Sequence, residues 1–249
     1  IQDNTRSIVA ELNSTFGGKY ANNFLVGYDK QIEDRAYAGD IFPTVDILNN
    51  NSTYISVGFD PFTPDNKLNY GTFHITNNFT IFSGKHLFTL GANYENYKSN
   101  NLFFPASHGV WIYNSLSDFE KAVNGDQTVS ARRFQYRYSA LPNGESPLQV
   151  LKVNKVDVYG QDEYQVNSNL KVSLGIRGSA IMFGDTALEN PAISAQTYKD
   201  ITGSAYKINT GQMPETKILW EPRLGFNYDV TGNKKTQLRG GSGIFTGRP

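Results

Sequence analysis

Apolar and polar residues alternate with a period of two along much of this 249-residue chain, in paired runs joined by short turns. The pattern is plainest near the carboxyl end. Pro222, Leu224, Phe226, Tyr228 and Val230 make one face wholly apolar, while Arg223, Gly225, Asn227 and Asp229 make the other polar or minimal. Thr231-Gly232-Asn233-Lys234 supplies tight-turn chemistry, because glycine and asparagine tolerate positive φ. The returning strand sets Leu238 and Ile244 against Gln237 and Arg239, so the unit reads as a hairpin.

The same unit recurs four times, each followed by a long polar connection. Ile8, Ala10 and Leu12 alternate with Ser7, Glu11 and Asn13, then turn at Phe16-Gly17-Gly18-Lys19 into Phe24, Val26 and Tyr28. A second pair runs from about Asn69 to Phe82, turns at Ser83-Gly84-Lys85, and returns with Phe88, Leu90, Ala92 and Tyr94 against Thr89, Gly91, Asn93 and Glu95. A third covers Lys152–Val166 and Leu170–Phe183. The connections Asp34–Lys67, Pro105–Pro147 and Gly184–Lys217 hold most of the prolines. Loops of this length are uncommon in compact soluble domains. Short turns on one side and long loops on the other are the asymmetry of an outer-membrane barrel, and the third pair is long enough to cross a bilayer at a tilt. The expected fold is therefore all-β, an antiparallel transmembrane β-barrel of which about eight strands are present, with residues 1–249 forming one barrel segment. A soluble β-sandwich is the rival, and would expect loops of more even length.

Composition changes this picture little. Lys plus Arg and Asp plus Glu are 23 each, so the formal charge is zero and no broad nucleic-acid surface is indicated. Cysteine is absent, which excludes disulfides, thiolate metal sites and a Cys nucleophile. The mean hydropathy of −0.45 would suit a soluble protein, yet a transmembrane strand shows lipid only every second side chain. No apolar run has the length of a transmembrane helix. Aromatics, 13% of the chain, gather at strand ends: Phe79, Phe82, Phe88, Tyr164 and Tyr228 toward the short turns, and Tyr97, Phe103, Phe183 and Trp220 toward the long loops. Two interfacial girdles would look like this. Ile1-Gln2-Asp3-Asn4-Thr5 lacks signal-peptide features and Gly247-Arg248-Pro249 follows a strand directly, so a fragment of a longer chain is expected.

Candidate chemistry is sparse. Inward-facing Glu11, Glu95, Asp157, Glu163, Arg177, Arg223, Asp229 and Arg239 form a mixed-sign set, read as salt bridges of a wet lumen wall rather than an acid–base pair. His74, His86 and His108 are scattered without a second ligand at metal spacing, so no metal, cofactor or catalytic residue is assigned. Gly240-Gly241-Ser242-Gly243 has the wrong spacing for a phosphate loop and sits in a strand. Ser117 is expected to cap a helix over Leu116–Val123, with Glu120 in a capping box. The ribbon Ala131-Arg132-Arg133-Phe134-Gln135-Tyr136-Arg137-Tyr138 interleaves arginine with aromatics, and is read first as a wall strand continued above the membrane rim.

The stretches Trp220-Glu221-Pro222-Arg223-Leu224-Gly225-Phe226-Asn227-Tyr228-Asp229-Val230 and Gln237-Leu238-Arg239-Gly240-Gly241-Ser242-Gly243-Ile244-Phe245-Thr246-Gly247-Arg248-Pro249 resemble the barrel of TonB-dependent outer-membrane receptors, with the nearest likeness to the Oar-like branch of Bacteroidetes. Ile75-Thr76-Asn77-Asn78-Phe79-Thr80 and Lys85-His86-Leu87-Phe88-Thr89-Leu90-Gly91 are similar to the same branch. The resemblance implies a barrel of about 22 strands, closed by an amino-terminal plug and energised through TonB, of which eight strands are roughly a third. TonB box, plug and the remaining strands are not in this sequence, so no energy-coupling residue is carried over. The expectation is the barrel portion of such a receptor in the bacterial outer membrane, importing a nutrient and having no enzymatic activity. Trp111, Arg132, Arg133 and Tyr136 are its candidate loop contacts. Outer-membrane lipid, TonB, the plug and an outer-membrane lipoprotein or other complex subunit are the expected partners, and nucleic acid is not. The alternatives are a structural barrel subunit of an envelope complex and a soluble β-sandwich adhesin.

Overall fold

The computed structural model describes residues 2–35 and 37–247; Ile1, Arg248 and Pro249 of the quoted chain ends, and Ala36 in the first long connection, lie outside the described residues. In chain order the elements are β1 (Gln2–Phe16), β2 (Tyr20–Asp34), β3 (Thr44–Asn49), β4 (Ser52–Val57), β5 (Asn66–Ser83), β6 (His86–Phe103), β7 (Val110–Tyr113), α1 (Leu116–Val123), β8 (Arg133–Gln135), β9 (Gln149–Gln165), β10 (Leu170–Phe183), α2 (Pro191–Ser194), β11 (Tyr198–Lys199), β12 (Ala205–Tyr206), β13 (Ile218–Asp229) and β14 (Gln237–Gly243). Eight long strands hydrogen-bond in the order β1-β2-β5-β6-β9-β10-β13-β14, each to the next in sequence. Among the described residues β1 and β14 are the ends of that order and do not pair with each other.

The hairpins follow the alternation read from the sequence, and three turns fall where expected. Gly17 and Gly18 both adopt positive φ, 55° and 66°, as a tight turn between right-twisted strands requires, and Lys19 N–H donates to the Phe16 carbonyl at 3.2 Å. The fourth turn is wider than expected. β13 stops at Asp229, whose carboxylate accepts the Gly232 and Lys234 N–H groups at 3.0 and 2.8 Å, so Val230 leaves the strand.

The chain divides into two compact units. One, from Arg6–Asp29, Gly71–Lys98 and the chain from Leu151 onward, is built of the wall strands and inverts the burial of a soluble protein. Its buried side chains include Thr72, Asp157, Ser179 and Glu221, whereas Val158, Leu174, Ile176, Trp220 and Leu224 are 51–62% exposed. Parity fixes the two faces. The register aligns Val158, Gly178 and Trp220 on one face and Tyr159, Arg177 and Glu221 on the other. Some glycines in this wall are covered by neighbouring rings: a Cβ on Gly91 would come within 2.2 Å of Tyr159, and one on Gly240 within 2.6 Å of Phe226. Gly240 thus makes room for a ring, while Gly241 and Gly243 lie against close backbone, where a Cβ would come within 2.8 Å of the Leu224 carbonyl and 3.0 Å of the Pro222 carbonyl.

The girdle reading needs correction at Tyr97, which has the β6 parity of Asn93, the partner of buried Asp157, and at two further residues. Phe183 pairs with Val153 and shares the face of Arg177, while Phe82 falls on the parity of Thr76 and Asn78, whose side chains bond to the polar residues Asn93 and Tyr159. None of the three lies on the apolar face, because proximity to a strand end says nothing about which side a residue takes.

The other unit comprises, of the described residues, those of Gln2–Thr5, Lys30–Tyr70 and Ser99–Val150. Here the long connections are not irregular. They form a second sheet in the order β4-β3-β7-β8, with β3 and β7 parallel. Its core is conventional: Val45, Ile47, Leu102, Ala106 and Val110 are buried. Sequence reading missed this sheet because its strands are short and lie between Pro and Asn clusters. Helix α1 spans the expected residues but is capped by Ser115, whose Oγ accepts the Asp118 N–H at 3.1 Å; Ser117 lies inside the helix.

Candidate functional site

On the polar face of the wall, β9, β10 and β13 bring the predicted charged residues into rows. Tyr159, Arg177 and Glu221 are register neighbours, as are Gln161, Gly175 and Arg223, and Glu163, Ser173 and Gly225. Asp157, 1% exposed, is the centre. Its Oδ2 accepts from Asn93 Nδ2 at 3.1 Å and lies 3.9 Å from Arg177 Nη1, and its Oδ1 lies 3.5 Å from Lys155 Nζ. Arg177 also stands 4.6 Å over the Tyr159 ring, and the Tyr159 hydroxyl donates to Asn78. A carboxylate withdrawn this far from water needs such partners, since leaving it unpaired costs several kcal/mol. Ser179, fully buried, donates to Glu221 Oε1 at 2.8 Å.

The remaining predicted wall residues divide. Glu163 is bridged by Lys171 at 2.6 Å. Arg223 lies over Gly175 with its Nε buried and unbonded. Glu11 accepts from Asn13 and Asn23, Arg239 donates to Gln237, and Glu95 is half-buried on β6. Asp229 serves its own turn, as described, rather than a cross-strand ion pair. Sequence reasoning missed Glu221, which stands beside Pro222 at the start of the alternation. It also missed Asp162, which interrupts the apolar parity of β9. Asp162 Oδ2 meets His86 Nδ1 at 2.8 Å, and the imidazole stacks on Tyr164 and Phe88 with centroids 4.5 and 5.2 Å away. His74 and His108 also stand beside aspartates, Asp29 at 3.7 Å and Asp65 at 3.4 Å. Among the described residues no three His, Asp or Glu side chains gather as a metal site.

In the loop unit, β8 pairs antiparallel with β7, aligning Phe134 with Trp111 and Arg133 with Ile112. The arginine-aromatic ribbon is therefore the edge of the loop sheet, not the continuation of a wall strand. Its rings form a ladder: Trp111 to Phe134 4.3 Å, Phe134 to Tyr136 6.5 Å, and Tyr136 to Tyr138 6.5 Å between centroids. All four rings are exposed, from 37% at Trp111 to 78% at Tyr138. Arg132 is tied to Asn51 Oδ1 at 2.8 Å. Of the four predicted contacts, Trp111 and Tyr136 belong to the ladder, while Arg133 has the strand parity opposite to Phe134. Phe134 and Tyr138 complete the ladder; their period-2 spacing with Tyr136 was the signal.

A sheet that presents apolar side chains outward and hydrogen-bonds buried charges on its other face is the wall of a transmembrane β-barrel. A family model for the outer membrane beta barrel domain matches residues 2–249, and the chain belongs to that family. The protein is placed in the bacterial outer membrane, and the soluble sandwich is set aside. No curated protein and no solved structure matches it.

Proposed function

We propose that the chain is the barrel portion of a TonB-dependent receptor of the Oar-like kind, importing a scarce nutrient, with the polar face lining the lumen and the long loops making first contact with the ligand. The observation that carries this reading is the contrast between connections. Gly17–Lys19 and Gly84–Lys85 merely reverse the chain, whereas the first two long connections fold into a sheet that displays the aromatic ladder. An ordered loop sheet with exposed rings suits capture of a ligand better than a passive wall. In this reading the eight strands supply about a third of a barrel of about 22, TonB and a plug act with it, and no catalytic step is assigned.

The test is a deletion strain grown on a panel of limiting nutrients. Loss of growth on one nutrient, restored by the wild-type gene, is expected. Undiminished growth on every nutrient, together with a stably co-purifying outer-membrane partner, would replace import with the role of a structural subunit. The exposed ladder is the observation that keeps that second role in view.

A further inference from the structure

We propose that the free edge of β8 docks an extended acidic peptide segment, which adds to the loop sheet as a fifth strand. Among the described residues β8 is the last strand of its sheet, so one side of its backbone has no neighbouring strand there. On its inner side the pairing runs on past Gln135, where Arg137 N–H donates to the Ala106 carbonyl at 3.2 Å. An unprotected edge invites any strand, and charge selects which one. Between residues 127 and 144 there are three arginines and no Asp or Glu. Two copies of this edge would repel each other; an acidic strand would not. The opposite edge, β4, carries no charge and so cannot select in this way.

Side-chain parity then defines the ligand. Residues facing Arg133 and Arg137 should be acidic, and those facing Phe134, Tyr136 and Tyr138 apolar, which describes a strand of alternating acidic and apolar residues. A uronate polymer or single-stranded nucleic acid could use the rings and guanidinium groups. Neither offers a backbone that satisfies a β edge, which is why a peptide is favoured. The inference rests on the receptor reading only in taking the long loops as the ligand-facing side.

The experiment uses the full chain in detergent micelles and an octapeptide alternating glutamate and valine. Saturable binding that weakens with added salt is expected, with at least about tenfold loss in R133Q/R137Q and in Y136A/Y138A, both retaining heat-modifiable gel mobility. A lysine–valine peptide, and a glutamate–valine peptide N-methylated at every residue so that neither edge can donate, should not bind. Equal binding of the N-methylated peptide would overturn strand addition. Binding of polygalacturonate or oligothymidylate with the same residue dependence, but not of the peptide, would overturn the ligand class, as would no binding at all. Nutrient growth of the deletion strain is scored separately, so a failed peptide result with an intact growth defect sinks this inference and leaves the receptor.

Discussion

Replacing Ile176 by arginine tests whether the apolar face meets lipid, and at what depth. Ile176 is 51% exposed, midway along β10, and its register neighbours are Gly160 and Pro222. On a face exposed to water, such a substitution stays within about 0.5 kcal/mol. At the centre of a bilayer it costs about 2–4 kcal/mol, a roughly 30- to 1000-fold change in the folded-to-unfolded ratio. A second site provides the ruler. Tyr228 pairs with Leu170, six residues along β10 from Ile176. At about 3.4 Å per residue and a tilt near 40° the two sites differ in depth by roughly 15 Å, more than half of an apolar band about 25 Å tall. Tyr228→Arg therefore lies at the interface and costs about 0–1 kcal/mol.

The assay is equilibrium unfolding in guanidinium from lipid vesicles, followed by tryptophan fluorescence, with S173R on the polar face as the reference. The expected order of destabilisation is I176R far above Y228R, with Y228R near S173R. Equal costs at 176 and 228 would refute the depth assignment. A cost for I176R no greater than that of S173R would refute the lipid-facing assignment itself.

Other perturbations address the interior and the loops. Gly91→Ala places a methyl group where the Tyr159 ring lies; displacing the ring breaks its bond to Asn78 and should cost about 1–3 kcal/mol in the same unfolding assay. Asp157→Ala strands Lys155, Arg177 and Asn93 and should cost about 3 kcal/mol or more, whereas Asp157→Asn, which keeps one acceptor, should cost less. Ser115→Ala removes the cap of α1 and should raise hydrogen exchange across Leu116–Phe119 by the equivalent of about 1 kcal/mol. Asp200 in the β11–β12 turn is held below its usual value of 3.8, first by the Thr202 hydroxyl and then by backbone N–H groups of Ser204 and its neighbours. A depressed carboxylate stabilises above its unfolded pKa and loses that contribution as pH falls through the folded one. Protection of this turn relative to its intrinsic exchange rate at each pH should therefore hold steady down to about pH 4 and fall below it, and Asp200→Asn should show no such step.

The wall was legible in the sequence because its code is local. Each of Leu224, Phe226 and Tyr228 declares its face by its neighbours alone, and the turn glycines mark the reversals. The loop sheet was not legible, because β3 and β7 are parallel strands separated by the whole of β4–β6, and no local signal announces a pairing that distant. The same limit explains the ribbon around Phe134. Its alternation identified a strand correctly, but alternation does not name the partner strand. Glu221 and Asp162 show the converse limit, where one residue departs from the pattern and its meaning depends on Ser179 or His86, forty or more residues away.

The contrast between the two units explains why mean hydropathy misjudges this chain. Burying Val45, Ile47 and Val110 in the loop unit removes apolar surface from water within the protein itself. In the wall, Leu174, Val158 and Leu224 stay 52–62% exposed, so without lipid their apolar surface contributes little to folding. What the wall buries is Asp157, Ser179 and Glu221, and satisfying polar groups roughly offsets their desolvation without also offsetting chain entropy. The missing term is supplied by the bilayer, which receives the apolar face. An even charge balance and a hydropathy of −0.45 are then the expected composition of a barrel wall, because half of each strand is written for water and half for lipid.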